Sequence, residues 1–329
     1  MTQKKVSVII PVKPGGAVKA LEGLGRVDYP AALLEILVAY GKQPSRQRNR
    51  AAETASGEIL YFLDDDSMVS PQFLLRTAGH YDDPVVAAVG GPSLTPETDT
   101  PLRQSFGLAL ASLFGGGGVR NRYRKEGDVR ETGDKELILC NLSFRREVYL
   151  ALGGLDERLY PNEENELLER IKRRGWRLIH DPELAVRRSQ RGTFKAFVRQ
   201  LFTYGRGRAE QTLIGGVSGM ASFIPSLFLI YLCLLPFFNR PVYYLPLLCY
   251  VVTLMFFAML EALRSGHHSA LPRLLVIFPA LHLAYGAGML WGFVFPRFKR
   301  VGSVMAEVTI RKVKGAGIGD PQSPYSKRG

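Results

Sequence analysis

The chain reads as an α/β fold with a mostly parallel sheet, followed by C-terminal transmembrane helices. Two observations carry this expectation. Over the first ninety residues, short apolar β-forming runs alternate with helical stretches, the pattern of strands joined by crossover helices. Beyond residue 211 the composition changes. From Gln211 to Pro296 there are three arginines (Arg240, Arg264, Arg273), one acid (Glu261) and neither lysine nor aspartate. Runs of about 20 apolar residues can cross a bilayer, and the stretches near 215–237, 242–262 and 274–295 qualify. A length of 329 residues accommodates one α/β domain and this membrane region.

Lys5 to Val12 is an apolar run closed by Pro14, Gly15 and Gly16, and a helical stretch follows to about Arg26. Leu34 to Tyr40 is a second strand, and Ser45 begins a polar helix that Gly57 ends. Ile59 to Leu63 forms a third strand, which runs directly into Asp64, Asp65 and Asp66. Alternation along an extended chain points Asp64 and Asp66 the same way, so two hard oxygen ligands can face a cation that also holds substrate phosphates. An acidic turn before the next helix, with Ser70 as N-cap and Pro71 at the first helical position, explains the triplet equally well. A helix to about Tyr81 and a strand from Val85 to Val89 complete this part. Ligands of such sheets bind beyond the carboxyl ends of the strands, where the aspartates lie.

No G-x-G-x-x-G follows the first strand, where the sequence is PVKPGGAVKA, so a dinucleotide site is not indicated. The run Gly115 to Gly118, inside the patternless stretch from Pro92 to Asp134, reads as a mobile loop. Leu137 to Phe144 is a further strand, and Asn141 inside it either stabilises a bend or faces a ligand. After Gly153 and Gly154, residues Leu167, Leu168 and Ile171 mark one face of a helix that Gly175 ends. Glu163, Glu164 and Glu166 crowd its first turn. The helix dipole favours acids there, and one of them can equally serve as a general base.

The net charge of +13 suits anionic lipid, phosphates or nucleic acid, and the apolar spans favour lipid. Cys140, Cys233 and Cys249 lack metal-ligand spacing and imply no disulfide framework. The apolar run near the start is too short for a signal-peptide core, which places the first 200 residues in the cytoplasm. From Arg187 to Arg208 there are seven basic residues and no acid, interleaved with Phe194, Phe197, Val198, Leu201, Phe202 and Tyr204. That pattern predicts an amphipathic helix in the membrane interface. Glycines flank Arg206 and Arg208, which lets the backbone approach a phosphate-bearing ligand. The expected divisions are a cytoplasmic catalytic domain over 1–192, the interfacial helix over 193–210, the membrane region over 211–296 and a basic tail over 297–329. Three full spans would leave that tail outside, whereas its eight basic and two acidic residues favour the cytoplasm, so either one apolar segment, around 211–222, does not cross or the tail departs from the positive-inside tendency.

The Asp64-Asp65-Asp66 triplet, the strand around Asn141 and the acidic cluster before ELLERIKRRG together resemble family 2 glycosyltransferases over about residues 5–210. The resemblance implies a glycosyltransferase A-type domain that binds a nucleotide-sugar, with Asp64 and Asp66 matching the D-x-D pair that holds a divalent cation, Mg2+ or Mn2+. It also matches GGLDERLYPNEENEL, with Gly153, Gly154, Asp156 and Glu157 in place, to the stretch leading to the catalytic base. Glu164, or failing that Glu163, takes the base position, with glutamate where the family usually has aspartate. Donor contacts are expected from Pro11, Tyr40, Asn49, Asp65 and Asn141. Tyr40 stands near the place of an aspartate that usually contacts the base, and could stack on it. RQLFTYGRGR departs from the Q-x-x-R-W motif of processive synthases by lacking tryptophan, and leaves Gln200, Arg206 and Arg208 as candidates for the acceptor or its pyrophosphate.

The implied chemistry is an inverting, metal-dependent transfer from a nucleotide-sugar to a membrane-associated acceptor, such as a polyprenyl-linked glycan, in cell-surface polysaccharide synthesis at the inner membrane. A polyprenyl-phosphate sugar synthase is the nearest alternative. A transporter subunit with a nucleotide-binding domain is disfavoured because the spans carry almost no charge for a polar pathway. Nucleic acid is not an expected partner, since the basic residues cluster beside the spans.

Overall fold

In the computed structural model, which describes residues 4–217, 219–299 and 307–313, strands form where apolar side chains alternate between two faces. The strands are β1 (Val6–Val12), β2 (Leu34–Tyr40), β3 (Ile59–Leu63), β4 (Val86–Gly90), β5 (Ser93–Leu94), β6 (Arg130–Glu131), β7 (Asn141–Arg145), β8 (Arg177–His180), β9 (Val186–Arg187) and β10 (Thr309–Val313). The helices are α1 (Ala20–Leu24), α2 (Pro44–Thr54), α3 (Phe73–His80), α4 (Pro101–Ala111), α5 (Leu113–Gly116), α6 (Arg146–Ala151), α7 (Glu163–Arg173), α8 (Phe194–Gly215), α9 (Ile224–Leu234), α10 (Leu245–Arg264) and α11 (Leu271–Val294). The chain divides into two compact units. Of the described residues, the first comprises 4–94, 121–188 and 307–313; the second comprises 95–120, 189–217 and 219–299.

The first unit is built on an eight-stranded sheet in the order β10-β2-β1-β3-β7-β4-β8-β6. Every side chain of β3 is buried. Ile59, Tyr61 and Leu63 enter one apolar layer with residues of α1 and α3, while Leu60 and Phe62 enter the other with residues of α2, α6 and α7. Each such side chain contributes roughly 1.5–3 kcal/mol on burial. This two-faced burial produces the unbroken apolar run seen in the sequence.

The sheet is mixed rather than mostly parallel. β1 runs parallel to β2 and β3, and β4 to β8, but β7 lies antiparallel between β3 and β4. Order of strands along a chain fixes neither their neighbours nor their direction, and the link from β4 to β7 is not a simple crossover. The strand expected over 137–144 begins only at Asn141, and α3 begins at Phe73 rather than at Pro71.

At the far edge, β10 pairs antiparallel with β2, Thr309 opposite Tyr40 and Val313 opposite Ile36. It covers an otherwise open strand edge. Lys312 Nζ lies 2.6 Å from Glu35 Oε1. Burial alone would push Glu35 up, but Lys312, the Ser56 amide and the Ser7 hydroxyl hold it down at about 2. Of the tail expected over 297–329, residues 300–306 and 314–329 lie outside the described residues.

In the second unit the stretch read as a mobile loop is helical. Thr100 caps α4 by accepting from the Arg103 amide, and Pro101 occupies its first turn. Gly115 belongs to α5, where an added Cβ would fall 2.1 Å from the Ala109 carbonyl oxygen. The amphipathic helix expected over 193–210 is α8, which extends to Gly215 and buries Gly205, Gly207, Arg208, Glu210 and Gln211. It packs backbone against backbone on α11. A Cβ on Gly288 would lie 1.9 Å from the Phe202 carbonyl oxygen, and one on Gly205 would lie 2.0 Å from that of Tyr285. Three segments, Met220–Phe237, Pro241–Arg264 and His268–Val294, are long and apolar enough to cross a membrane by length and composition.

Lys312→Ala should lower the melting temperature near pH 7 by a few degrees, because it strips a cation from a buried carboxylate. Glu35 is held below its ordinary value, so its contribution is present above about pH 4.5 and is lost as pH falls through about 2. Melts of the two proteins should therefore converge on acidification, and a difference that persists at low pH would show that the ion pair is not its cause.

Candidate active site

The site forms where β3 ends. Asp64 to Ser67 make a tight turn, with the Ser67 amide donating to the Asp64 carbonyl (3.2 Å) and the Asp64 amide to Ser67 Oγ (3.2 Å). Ser67 is fully buried and its hydroxyl reaches the Cys140 carbonyl beside β7. Asp64 and Asp66 converge as expected, but through this turn rather than through strand alternation. Arg188 Nη2 lies 3.1 Å from Asp64 Oδ2, and Arg188 Nε lies 2.8 Å from Asp66 Oδ1. Burial disfavours the charge on Arg188, yet Asp64 and Asp66 outweigh it and hold the guanidinium charged. Asp65 is pushed up by burial and by its two neighbours.

A second arginine joins the aspartates to the glutamates. Arg48, buried on α2, places Nη2 2.9 Å from Asp64 Oδ1 and Nη1 3.6 Å from Glu163 Oε1. Asn162 adopts a left-handed conformation (φ 82°), which asparagine tolerates, and turns the chain into α7. Glu163 and Glu164 follow at once, both buried. Burial and the charge of Glu164 push Glu163 up to about 8, more than Arg48 pulls it down. Glu164 lies 3.5 Å from Arg122, whose guanidinium also donates to the Asn165 side chain and to the carbonyls of Asp134 and Lys135. Aspartates and glutamates therefore form one connected cluster within the first unit.

Other expected contacts resolve differently. Asn141 is fully buried and does not face a ligand: its side chain accepts from Tyr61 (2.6 Å) and donates to the carbonyls of Pro92 (3.1 Å) and Leu184 (2.6 Å). Both of its donor hydrogens are thereby used. Asn49 is likewise structural. It donates to the Leu155 carbonyl (2.8 Å) and accepts from Tyr149 (2.6 Å) and the Leu155 amide (2.9 Å), tying α2 to the Gly153–Gly154 turn. Gly154 has φ 70° and a Cβ there would fall 2.5 Å from Asn49 Oδ1, so only glycine fits. Pro11 in β1 pairs with Ala39, and Tyr40 closes β2, each half-buried at the carboxyl end of its strand. In the second unit, Gln200 on α8 donates to Tyr204 (2.5 Å) and accepts from Arg191 (3.0 Å), Arg206 pairs with Glu210 at 3.4 Å, and Arg208 is buried.

Arg48, Arg122 and Arg188 are absent from the sequence-based expectations. A signal for them existed, since acids crowded at one strand end and one helix start require cations beside them. Arg188 was grouped with the membrane-interface run, yet it follows β9 and belongs to the first unit.

The donor set fits a divalent cation. Asp64 and Asp66 present hard oxygens to a single positive group, as magnesium and manganese require. Among the described residues no group of three or more His, Cys, Asp or Glu forms a metal cluster, so these carboxylates would supply only part of a coordination sphere, the rest coming from water and phosphate.

Replacing Glu163 with glutamine should raise stability most at alkaline pH. The fold favours protonated Glu163, so that contribution is whole below its ordinary value of 4.5 and is lost as pH rises through about 8. Thermal melts from about pH 6 to 9 should fall less steeply for Glu163→Gln than for the wild type; parallel curves would refute the shift.

Comparison with known proteins gives the family and the fold. The family described as Glycosyl transferase family group 2 matches residues 59–260. An O-antigen chain rhamnosyltransferase of Salmonella typhimurium is 24% identical over 165 residues, covering 48% of this chain and 50% of that protein. A succinoglycan biosynthesis protein of Rhizobium meliloti is 31% identical over 130 residues, 38% of each chain. The chain thus spans about half or less of the length of these curated relatives. Among solved structures, a mannosyltransferase from Pyrobaculum calidifontis, in complex with GDP-mannose and Mn2+, superposes with a TM-score of 0.55 at 16% identity, covering 88% of this chain and 87% of that one. That likeness concerns the fold, whereas the family match covers more than half of the sequence, from β3 through the acidic start of α7 and into the apolar segments; the chain belongs to glycosyltransferase family 2.

Proposed function

We propose that this protein transfers a sugar, with inversion, from a nucleotide-sugar to a membrane-associated acceptor in cell-surface polysaccharide synthesis. The observation that carries the reading is the convergence of Asp64 and Asp66 on one cationic point at the end of β3, joined through Arg48 to the Glu163–Glu164 pair. A divalent cation held by Asp64 and Asp66 would offset the charge that develops on the departing nucleoside diphosphate. Glu164 is the proposed base. It takes the proton of the acceptor hydroxyl as that oxygen bonds to the anomeric carbon and the bond from that carbon to the diphosphate oxygen breaks. Attack from the face opposite the leaving group inverts the centre. Glu163, held protonated by burial and by the charge beside it, keeps the pair from carrying two adjacent negative charges. Arg48 and Arg122 position the carboxylates. Pro11, Tyr40 and Asp65 are proposed to face the donor, and Gln200, Arg206 and Arg208 the acceptor. The acceptor proposed is a polyprenyl-linked glycan, which accords with the names of the O-antigen and succinoglycan relatives.

The apolar segments suggest a site at the inner membrane, with the sheet on the cytoplasmic side. β10 pairs with β2 although the apolar segments lie between them in the chain, so β1 to β3 and residues 309–313 share one side of any membrane. This pairing supports an even number of crossings, which is the proposed topology. The twenty residues of α10 and twenty-four of α11 are unbroken α-helix, whereas in Met220–Phe237 only the eleven residues of α9 are, the rest being 3-10 turns. The proposed crossings are α10 and α11, with α9 re-entrant or in the interface.

Asp66→Ala and Glu164→Gln should each lower transfer by about 10²-fold or more, whereas Glu163→Gln should retain most activity near neutral pH. Full activity of Asp66→Ala or Glu164→Gln, assayed with a panel of nucleotide-sugars and membrane lipid extract, would overturn the reading. A phosphate-linked monosaccharide as sole product would make lipid phosphate the acceptor instead. Reporters fused at the two termini should report the same side of the membrane, and opposite sides would refute the even count.

A further inference from the structure

The point on which Asp64 and Asp66 converge is already filled by a cation of the chain itself. We propose that Arg188 is a resident competitor for the divalent cation: it holds the aspartates before the donor arrives, admits the cation only together with a diphosphate, and then pairs with that diphosphate. This rests on the reading of Asp64 and Asp66 as the cation-binding pair.

The geometry makes the competition direct. Arg188 spans both carboxylates, Nη2 on Asp64 Oδ2 at 3.1 Å and Nε on Asp66 Oδ1 at 2.8 Å. Asp64 Oδ1 is engaged by Arg48 at 2.9 Å, so Asp64 has no second oxygen to offer without breaking that pair as well. A metal ion bridging the aspartates therefore meets a guanidinium at either oxygen of Asp64, and the one it shares with Asp66 is that of Arg188.

Charge sets the order of events. Asp64 and Asp66 are met by Arg48 and Arg188, so these four side chains carry no net charge among themselves, with Asp65 and Glu163 beside them. A divalent cation entering alone would set two further positive charges beside two guanidinium groups in a partly buried cluster, which is costly in a medium of reduced dielectric. A cation entering with a diphosphate restores neutrality. The displaced guanidinium then lies beside an anion it is suited to bind, because its planar fork matches phosphate oxygens.

The backbone permits the exchange. The Arg188 amide donates to the Leu94 carbonyl at 2.9 Å, and the Arg187 amide to the Met68 carbonyl at 2.9 Å. Those bonds need not change. Only the long side chain has to swing, so the anchor point stays next to the site throughout.

A guanidinium that merely braced the turn would act in the opposite sense, since its loss would scatter the aspartates and weaken metal binding. The test uses the purified full chain and its Arg188→Gln and Arg188→Lys variants, with free Mn2+ followed by electron paramagnetic resonance and inorganic pyrophosphate as the diphosphate probe. Arg188→Gln should bind Mn2+ alone about tenfold more tightly than the wild type and gain less from pyrophosphate, while Arg188→Lys, which keeps the charge, should resemble the wild type with Mn2+ alone. Equal or weaker Mn2+ affinity in a folded Arg188→Gln overturns the proposal and leaves the cation reading standing. Should that variant not fold, melts of the wild type decide: Mn2+ with pyrophosphate should stabilise it well beyond either alone, and equal stabilisation by Mn2+ alone overturns the proposal. Absence of Mn2+ binding by every protein in every mixture refutes the cation reading itself, and this inference with it.

Discussion

Carboxylates crowded at the end of a buried strand must be met by positive charge, and the turn from Asp64 to Ser67 draws that charge from distant parts of the chain. Arg48 comes from the helix before β3 and Arg188 from the strand end that closes the first unit. Arg122 performs the same office for Glu164. Each arginine is largely buried and fixed by more than one partner, which sets where the acids can sit. The cluster is thus a charge balance as much as a binding site, and any ligand that enters must preserve it.

The sheet serves this balance by its order. Placing β7 antiparallel beside β3 brings Cys140 and Asn141 next to the aspartate turn, where the Cys140 carbonyl accepts from Ser67 and Asn141 secures Tyr61 and two loop carbonyls. Rigid neighbours keep the turn from spreading under like-charge repulsion. At the opposite edge β10 closes β2, and its lysine neutralises Glu35, a buried acid that would otherwise burden the sheet. The segment carrying that lysine follows every apolar helix in sequence, so the first unit is completed by residues from both ends of the chain.

Much of the fold was legible from the residues. Runs such as ILYFL and VSVII declare strands because both faces of the sheet are covered, and β1 to β4 fall within a residue or two of their expected bounds. The helix from Phe194 was legible from its alternating arginines and aromatics. Gly115 to Gly118 misled because glycine is ordinarily a helix breaker, while at Gly115 and Gly116 close contact with neighbouring backbone makes small size the governing requirement. Asn141 was ambiguous for a similar reason: a buried amide needs partners, and only the fold says whether they are protein or ligand.

The site divides along the same line. By itself the sequence determined the acids: three aspartates at the end of an apolar strand, and glutamates opening a helix, are local facts of spacing. It also determined the apolar segments, since length and composition suffice. Only the tertiary structure decided which groups answer those acids. Asn49 faces the Gly154 turn while its neighbour Arg48 faces Asp64, a distinction set by one step around a helix and by what happens to pack on each side. Arg188 looked like one more member of a lipid-facing basic run, yet pairing of the short strands β5 and β9 delivers it to the aspartates. Charge is attracted over distance without regard to position in the chain, so the partners of a buried acid are a property of the folded arrangement and not of the residues on either side of it.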